Sequence, residues 1–94
     1  MRAEFAKLCH EVVQSDSKSI IMVGDISHFL LRETEKVAPD RFYNIGICEQ
    51  TMVSMASGMA IEGMKPIVHT IAPFLVVRAH EQIKVDLGYQ HTEV

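Results

Sequence analysis

The sequence predicts an α/β fold of three layers, with a parallel sheet covered by helices on both faces. Short apolar runs alternate with longer helical patterns at the spacing of repeated right-handed crossovers. The first run, Ile20-Ile21-Met22-Val23, is apolar on both faces, as a strand covered on both sides requires. Glycine and proline punctuate the boundaries between the runs, among them Gly24, Gly46, Gly63 and Pro66.

The first element is an amphipathic helix. Phe5, Leu8, Cys9, Val12 and Val13 recur at three- and four-residue steps and form one stripe, with Arg2, Glu4, Lys7 and Glu11 largely outside it. The polar stretch from Gln14 to Lys18 ends it, because Ser and Asp side chains compete for backbone hydrogen bonds. The buried strand of Ile20 to Val23 follows and stops at Gly24. A short helix is expected from about Phe29 to Val37, closed by Ala38-Pro39. A second strand starts at Arg41 or Phe42, runs to Ile45 and breaks at Gly46.

The strongest helical signal runs from about Glu49 to Glu62, with Gly63 and Pro66 as its stop. Ser54, Ala56, Ser57, Gly58 and Ala60 crowd it with small side chains, which suits close packing; Gly58 implies a neighbour pressed against the backbone, since glycine costs a helix about 1 kcal/mol relative to alanine. A third strand covers Pro66 to Ile71, and Ala72-Pro73 leads into a last helix from Phe74 to about Leu87, ended by Gly88. Thr92-Glu93-Val94 reads as the opening of a fourth strand. Three strands leave an exposed edge, so the expectation is a fragment or a subunit completed by a partner.

Ninety-four residues hold at most one small core. Apolar residues at 48% and charged residues at 22% are the balance of an ordinary globular chain. The net charge of -3 is scattered, which leaves no basic stripe for nucleic acid. No apolar run approaches a bilayer span and the opening MRAEFAKLCHEVV has no signal-peptide core, so no membrane partner and a cytoplasmic location are expected. Cys9 and Cys48 read as reduced, buried thiols. His10, His28, His69, His80 and His91 lack short ligand spacing, so no metal site is expected from this chain.

Ligands of open parallel sheets bind beyond the carboxyl ends of the strands. Gly24 to His28, Gly46 to Gln50 and Ala72 to Phe74 lie there. Glu49 stands in the first turn of a helix whose other face is apolar and small. On local grounds alone it is an acid that complements the helix dipole, and Phe74 is the first core residue of a helix. Asp25 suits a turn hydrogen bond to its own backbone, and His28 a solvent-facing loop. Arg78 is spaced to meet Glu81 and Gln82 as a helix-face charge. Cys48 has no His/Asp arrangement that would make it a nucleophile.

The run RFYNIGICEQTMVSMASGMAIEGMKPIV resembles the pyrimidine-binding domain of transketolases and of deoxyxylulose phosphate synthase, where a strand, a Gly-Ile-x-Glu-Gln turn and a small-residue helix recur in this order. The resemblance extends back to MRAEF and IIMVGDIS and forward to TIAPFLVVRAHEQI, and is similar to the separate carboxyl-terminal subunits of split transketolase-like proteins. It implies the thiamine diphosphate-binding fold in incomplete form, residues 1–94 being part of a pyrimidine-binding domain. It makes Glu49 the catalytic carboxyl: hydrogen-bonded to the ring nitrogen of the aminopyrimidine, it drives the ring amine to the imino tautomer that takes the thiazolium proton. It also implies that Asp25 and Ile26 lie near the thiazolium and that Phe74 packs on the aminopyrimidine in a Phe-x-x-x-Arg pattern. A further aromatic of some relatives is Ile71 here.

The family's Gly-Asp-Gly…Asn motif for diphosphate and magnesium is absent, as is the Asp-Gly-x-x-His segment that handles substrate. The resemblance therefore implies a chain inactive by itself, completed by a diphosphate-binding domain or subunit that holds the magnesium, in a dimer or larger homo- or hetero-oligomer. The implied reaction moves a two-carbon ketol unit between sugar phosphates, with the synthase reaction left open beside it. The alternatives are a beta-type subunit of a 2-oxoacid dehydrogenase and a non-catalytic assembly module.

Overall fold

One strand organises the chain. The computed structural model describes all residues, Met1–Val94, and places β1 (Ser19–Val23) at the centre of a three-stranded sheet with every one of its residues buried. β2 (Phe42–Asn44) and β3 (Lys65–His69) flank it, both parallel, in the order β2-β1-β3. The register pairs Val23 with Asn44 on one side and with His69 on the other, which aligns the carboxyl ends of all three strands.

Alternation along β1 builds the two outer layers. Ile21 and Val23 pack with Ala6, Cys9 and Val13 of α1 (Arg2–Ser15) and with Leu31 of α2 (His28–Val37). Ile20 and Met22 point the other way, onto Met52 and Ala56 of α3 (Glu49–Ile61). Each fully buried aliphatic side chain of this kind contributes about 1.5–3 kcal/mol. The expected α/β/α layering with a parallel sheet is what the structure has.

Several boundaries and faces differ from expectation. The buried stripe of α1 is Ala6, Cys9 and Val13; Leu8 lies exposed, because the helix meets β1 and α2 through its smaller side chains. α2 begins at His28, one residue before Phe29, and Phe29 itself is exposed. A 3-10 turn, Pro39–Arg41, delivers the chain into β2, which ends at Asn44. β3 spans Lys65–His69, so Thr70 and Ile71 lie in the loop beyond it. Cys9 is buried as expected, whereas Cys48 caps α3 and is exposed. The pressure inferred on Gly58 is absent: it faces open space.

The last helical stretch is wider than the sequence suggests. Phe74–Arg78 and Ile83–Tyr89 are wound as π-helix on either side of a single α-helical turn, His80–Gln82. It runs through Gly88 to Tyr89, and the left-handed residue that follows is His91 at φ 53°. Thr92–Val94 adopt no strand here. Thr92 instead turns back: its hydroxyl donates to the Asp86 carbonyl at 2.9 Å and lies 3.2 Å from the Ser57 hydroxyl of α3. No helix is long and apolar enough to cross a membrane.

Arg41 locks the amino-terminal side of the sheet. Its guanidinium donates to three main-chain carbonyls, Val13 at 2.9 Å, Asp16 at 2.9 Å and Ser19 at 3.1 Å, joining the end of α1 to the start of β1. A lysine cannot reproduce that fork. Replacing Arg41 with alanine is expected to destabilise the chain by about 1.5–3 kcal/mol, and Arg41→Lys should restore less than half of the loss in urea unfolding.

Candidate functional site

Three loops converge at the carboxyl ends of the strands. Val23 of β1 hands over to Gly24, whose N–H donates to the His69 carbonyl at 3.2 Å, so the first and third loops leave the sheet side by side. The second loop is tied to the first by Asn44. Its side-chain oxygen accepts from the N–H of Asp25 and from that of Gly46, each at 3.0 Å, while its amide donates to the Asp25 carboxylate at 3.2 Å. Gly46 takes φ 81°, a left-handed turn that suits glycine, and the chain swings into α3 with Glu49 in its first turn.

Glu49 is fully buried, although it is a charged residue at a helix N-terminus. Its two oxygens are engaged from different elements. The Thr70 hydroxyl donates to Oε1 at 3.0 Å, and the Arg78 guanidinium donates to Oε2 at 2.7 Å. Burial pushes the carboxyl pKa up, but the donors outweigh it: its own backbone N–H, Arg78 and Thr70 together hold it below the usual carboxylate value. Glu49 is therefore ionised and paired, as a buried charge must be.

The guanidinium that pairs with Glu49 also lies over the Phe74 ring, with its central carbon 4.2 Å from the ring centroid. Glu49 and Phe74, expected to act together, are thus joined through Arg78. Spacing alone sets Arg78 beside Glu81 and Gln82, because it assumes an α-helix; the π-wound turn that ends at Arg78 changes the direction in which its side chain leaves the helix. Phe74 is not the core residue that helix packing alone suggests; it is partly exposed at the surface of the site.

Gly24 is the other residue whose role the sequence left unstated. A β-carbon there would stand 3.0 Å from the Thr70 hydroxyl and 3.5 Å from Glu49 Oε1. The glycine that stops β1 thus makes room for the hydroxyl that orients the carboxylate. The signal was its position directly after the most buried strand, where close backbone approach favours glycine.

Asp25 and Ile26 occupy the loop after β1 and make no hydrogen bond to Glu49 or Arg78. Asp25 is left-handed at φ 55° and accepts from Asn44 and, at 3.0 Å, meets His28 Nε2; these two hydrogen bonds, His28 first, lower its pKa. The structure thus gives Asp25 partners on α2 and β2 in place of its own backbone, and gives His28 a carboxylate in place of solvent alone. Asp25 and Ile26 border a cavity of about 760 Å³ that also reaches Arg2, His69 and Thr70. Within it the Ser27 hydroxyl and His69 Nε2 are 2.9 Å apart, and burial, followed by the nearby Arg2 charge, keeps the His69 pKa low. Thr70 borders this cavity and also bonds Glu49.

The donor set suits a flat, nitrogen-rich ring. A buried carboxylate oxygen and an aromatic face stand side by side here, and both are met by the planar Arg78 guanidinium. The set does not suit a divalent ion held by this chain, since no cluster of three His, Cys, Asp or Glu side chains is present.

Residues 1–94 match the profile of the family described as "Transketolase, pyrimidine binding domain". One subunit of the apulose-4-phosphate transketolase of Actinobacillus succinogenes is 48% identical over 59 residues, 63% of this chain and 19% of that protein. The 1-deoxy-D-xylulose-5-phosphate synthase of Prochlorococcus marinus is 37% identical over 94% of this chain and 13% of the synthase. Among solved structures, a split-gene transketolase in an inactive β4 tetramer superposes with a TM-score of 0.85 at 31% identity, over 95% of this chain and 30% of that one. The chain spans less than a third of each.

Replacing Arg78 with methionine removes the cation while burial and the backbone and Thr70 donors remain, so the Glu49 pKa should move up from its parent value. Titration of the Glu49 side-chain ¹³C signal reads this directly. In the parent, a depressed pKa adds stability that is complete above the ordinary value near 4.5 and is lost as pH falls through the lower folded value. In the methionine variant that acid-side loss of stability should be smaller. At neutral pH the variant should lose about 1–3 kcal/mol.

Proposed function

The chain belongs to the transketolase pyrimidine-binding domain family, and on that footing we propose that it grips the aminopyrimidine ring of thiamine diphosphate in a transketolase-like enzyme, with Glu49 as the activating carboxyl. The observation that carries this is the buried Glu49 carboxylate at the carboxyl end of the sheet, bonded to a flat cation that rests on Phe74.

Thiamine diphosphate, when bound, supplies the electron sink for breaking a bond beside a carbonyl carbon. The residues of this chain bind and orient it. Thr70 holds Glu49 Oε1, and Oε2, which Arg78 meets here, is the oxygen that would share a proton with the ring nitrogen. Phe74 offers its face for stacking, and an offset aromatic contact of this kind is worth about 0.5–1.5 kcal/mol. Gly24 keeps the threonine hydroxyl in reach. Asp25 and Ile26, fixed by Asn44 and His28, border the side from which the thiazolium and a substrate approach. Burial of the carboxyl keeps water from competing for the shared proton.

Diphosphate and magnesium are assigned to a second domain or subunit, since this chain offers no acidic or histidine cluster for the metal. The reaction proposed for the assembly is transfer of a two-carbon ketol unit between sugar phosphates, a reading supported by the relative that is itself one subunit of a transketolase. A dimer or larger oligomer follows from the same division of labour.

In an assembly reconstituted with a diphosphate-binding subunit, Glu49→Gln should slow exchange of the cofactor's thiazolium proton by about 10²–10⁴-fold, while association of the subunits, followed by sedimentation, is unchanged. Exchange at the parent rate in the variant would show that this chain serves assembly alone.

A further inference from the structure

We propose that the Arg78 side chain is a removable plug of the aminopyrimidine site: it competes with the ring for the Glu49 carboxylate and the face of Phe74, and it gives up both when the ring enters. This rests on the function proposed above and concerns the regulation of that same site.

The geometry sets up a direct competition. Glu49 Oε2 and the ring face of Phe74 are the two features offered to the aminopyrimidine, and one guanidinium holds both, at 2.7 Å and 4.2 Å. The guanidinium and the ring are both planar and both stack on aromatic faces; the guanidinium donates N–H to the carboxylate, while the ring nitrogen would share a proton with it. They cannot occupy the same carboxylate oxygen and the same ring face together. Glu49 has no exposed surface, so a ring reaches it only after Arg78 moves.

Arg78 is held in a way that permits movement. Arg41, the structural clamp, makes three bonds to main-chain carbonyls through two of its nitrogens. Arg78 makes one hydrogen bond, to Glu49, and its side chain keeps 35% of its surface in solvent. A guanidinium has five donors, so most of its hydrogen bonds are to water. An acceptor also waits nearby in sequence. Gln82 Oε1, one helical turn further on, is buried and has no partner. An Arg78 side chain released from Glu49 would satisfy that orphaned oxygen, which lies four residues on in the same helical stretch. The two positions of Arg78 thus each have an acceptor, the carboxylate in one and the amide oxygen in the other.

The test uses the full chain and the cofactor's ring alone, 4-amino-5-hydroxymethyl-2-methylpyrimidine, titrated by NMR. In the parent, the Arg78 Nε–H signal should move to the position of a released arginine in step with ring binding. Arg78→Met should bind the ring about tenfold more tightly than the parent, the loss of one charge-assisted competitor, with Arg78→Lys between them. Equal or weaker binding by the methionine variant, or an Arg78 signal that stays in place as the ring binds, overturns the plug. A parent and a methionine variant that both fail to bind the ring overturn it as well, because unplugging then opens nothing. Glu49→Ala separates the two ideas. Ring affinity that is insensitive to Glu49 defeats the proposed function, whereas affinity that depends on Glu49 but not on removal of Arg78 defeats the plug alone.

Discussion

A buried carboxylate must be answered by donors, and the upper half of this molecule is arranged around that requirement. Glu49 draws one donor from the loop after β3 and another from the last helical stretch, while its own position is fixed by the first turn of α3. The pair therefore adds a polar tie between α3, the loop after β3 and the last helical stretch. Removing either donor leaves a charge without compensation in a place that water does not reach, and such vacancies cost more than the hydrogen bond itself contributes. The same requirement explains Gly24, where a side chain would crowd the threonine hydroxyl that answers the carboxylate.

The two arginines divide the work of the fold. Arg41 is spent on carbonyls at the amino-terminal side, where its three bonds satisfy main-chain oxygens at the end of α1 and the start of β1. Arg78 stands at the opposite end of the sheet on a single bond and a stacking contact, and it keeps much of its hydration. Stability is concentrated where the chain enters the sheet, and adaptability where the strands end, which is the usual placement of ligand sites in parallel sheets.

The layers of the fold are legible in the sequence because each rests on a local pattern. The doubly apolar run of β1 dictates a central strand, and the Gly-Ile-x-Glu-Gln turn sets Glu49 at the start of a long helix. What is not legible depends on contacts between distant segments or on unusual winding. Gly58 reads as a packing residue because small side chains often are, yet it faces open space. Thr92 reads as a strand opening, yet here its hydroxyl donates to the Asp86 carbonyl, which also accepts from the Ser57 hydroxyl. Arg78 reads as a surface charge because the i to i+4 rule assumes an α-helix, and here the helix is wider. The Phe-x-x-x-Arg spacing does hold the clue, since it places a cation beside the aromatic face. Thr70 carries no sequence signal beyond its place at the end of β3.

The ¹⁵N chemical shift of the ring nitrogen, in labelled aminopyrimidine held by this chain, tests the central claim most directly. A shift characteristic of a nitrogen that shares a proton with a carboxyl, lost in Glu49→Ala, is the result this account predicts. A ring nitrogen that gives the same shift in both proteins would contradict it, because the buried carboxyl would then have no part in holding the cofactor.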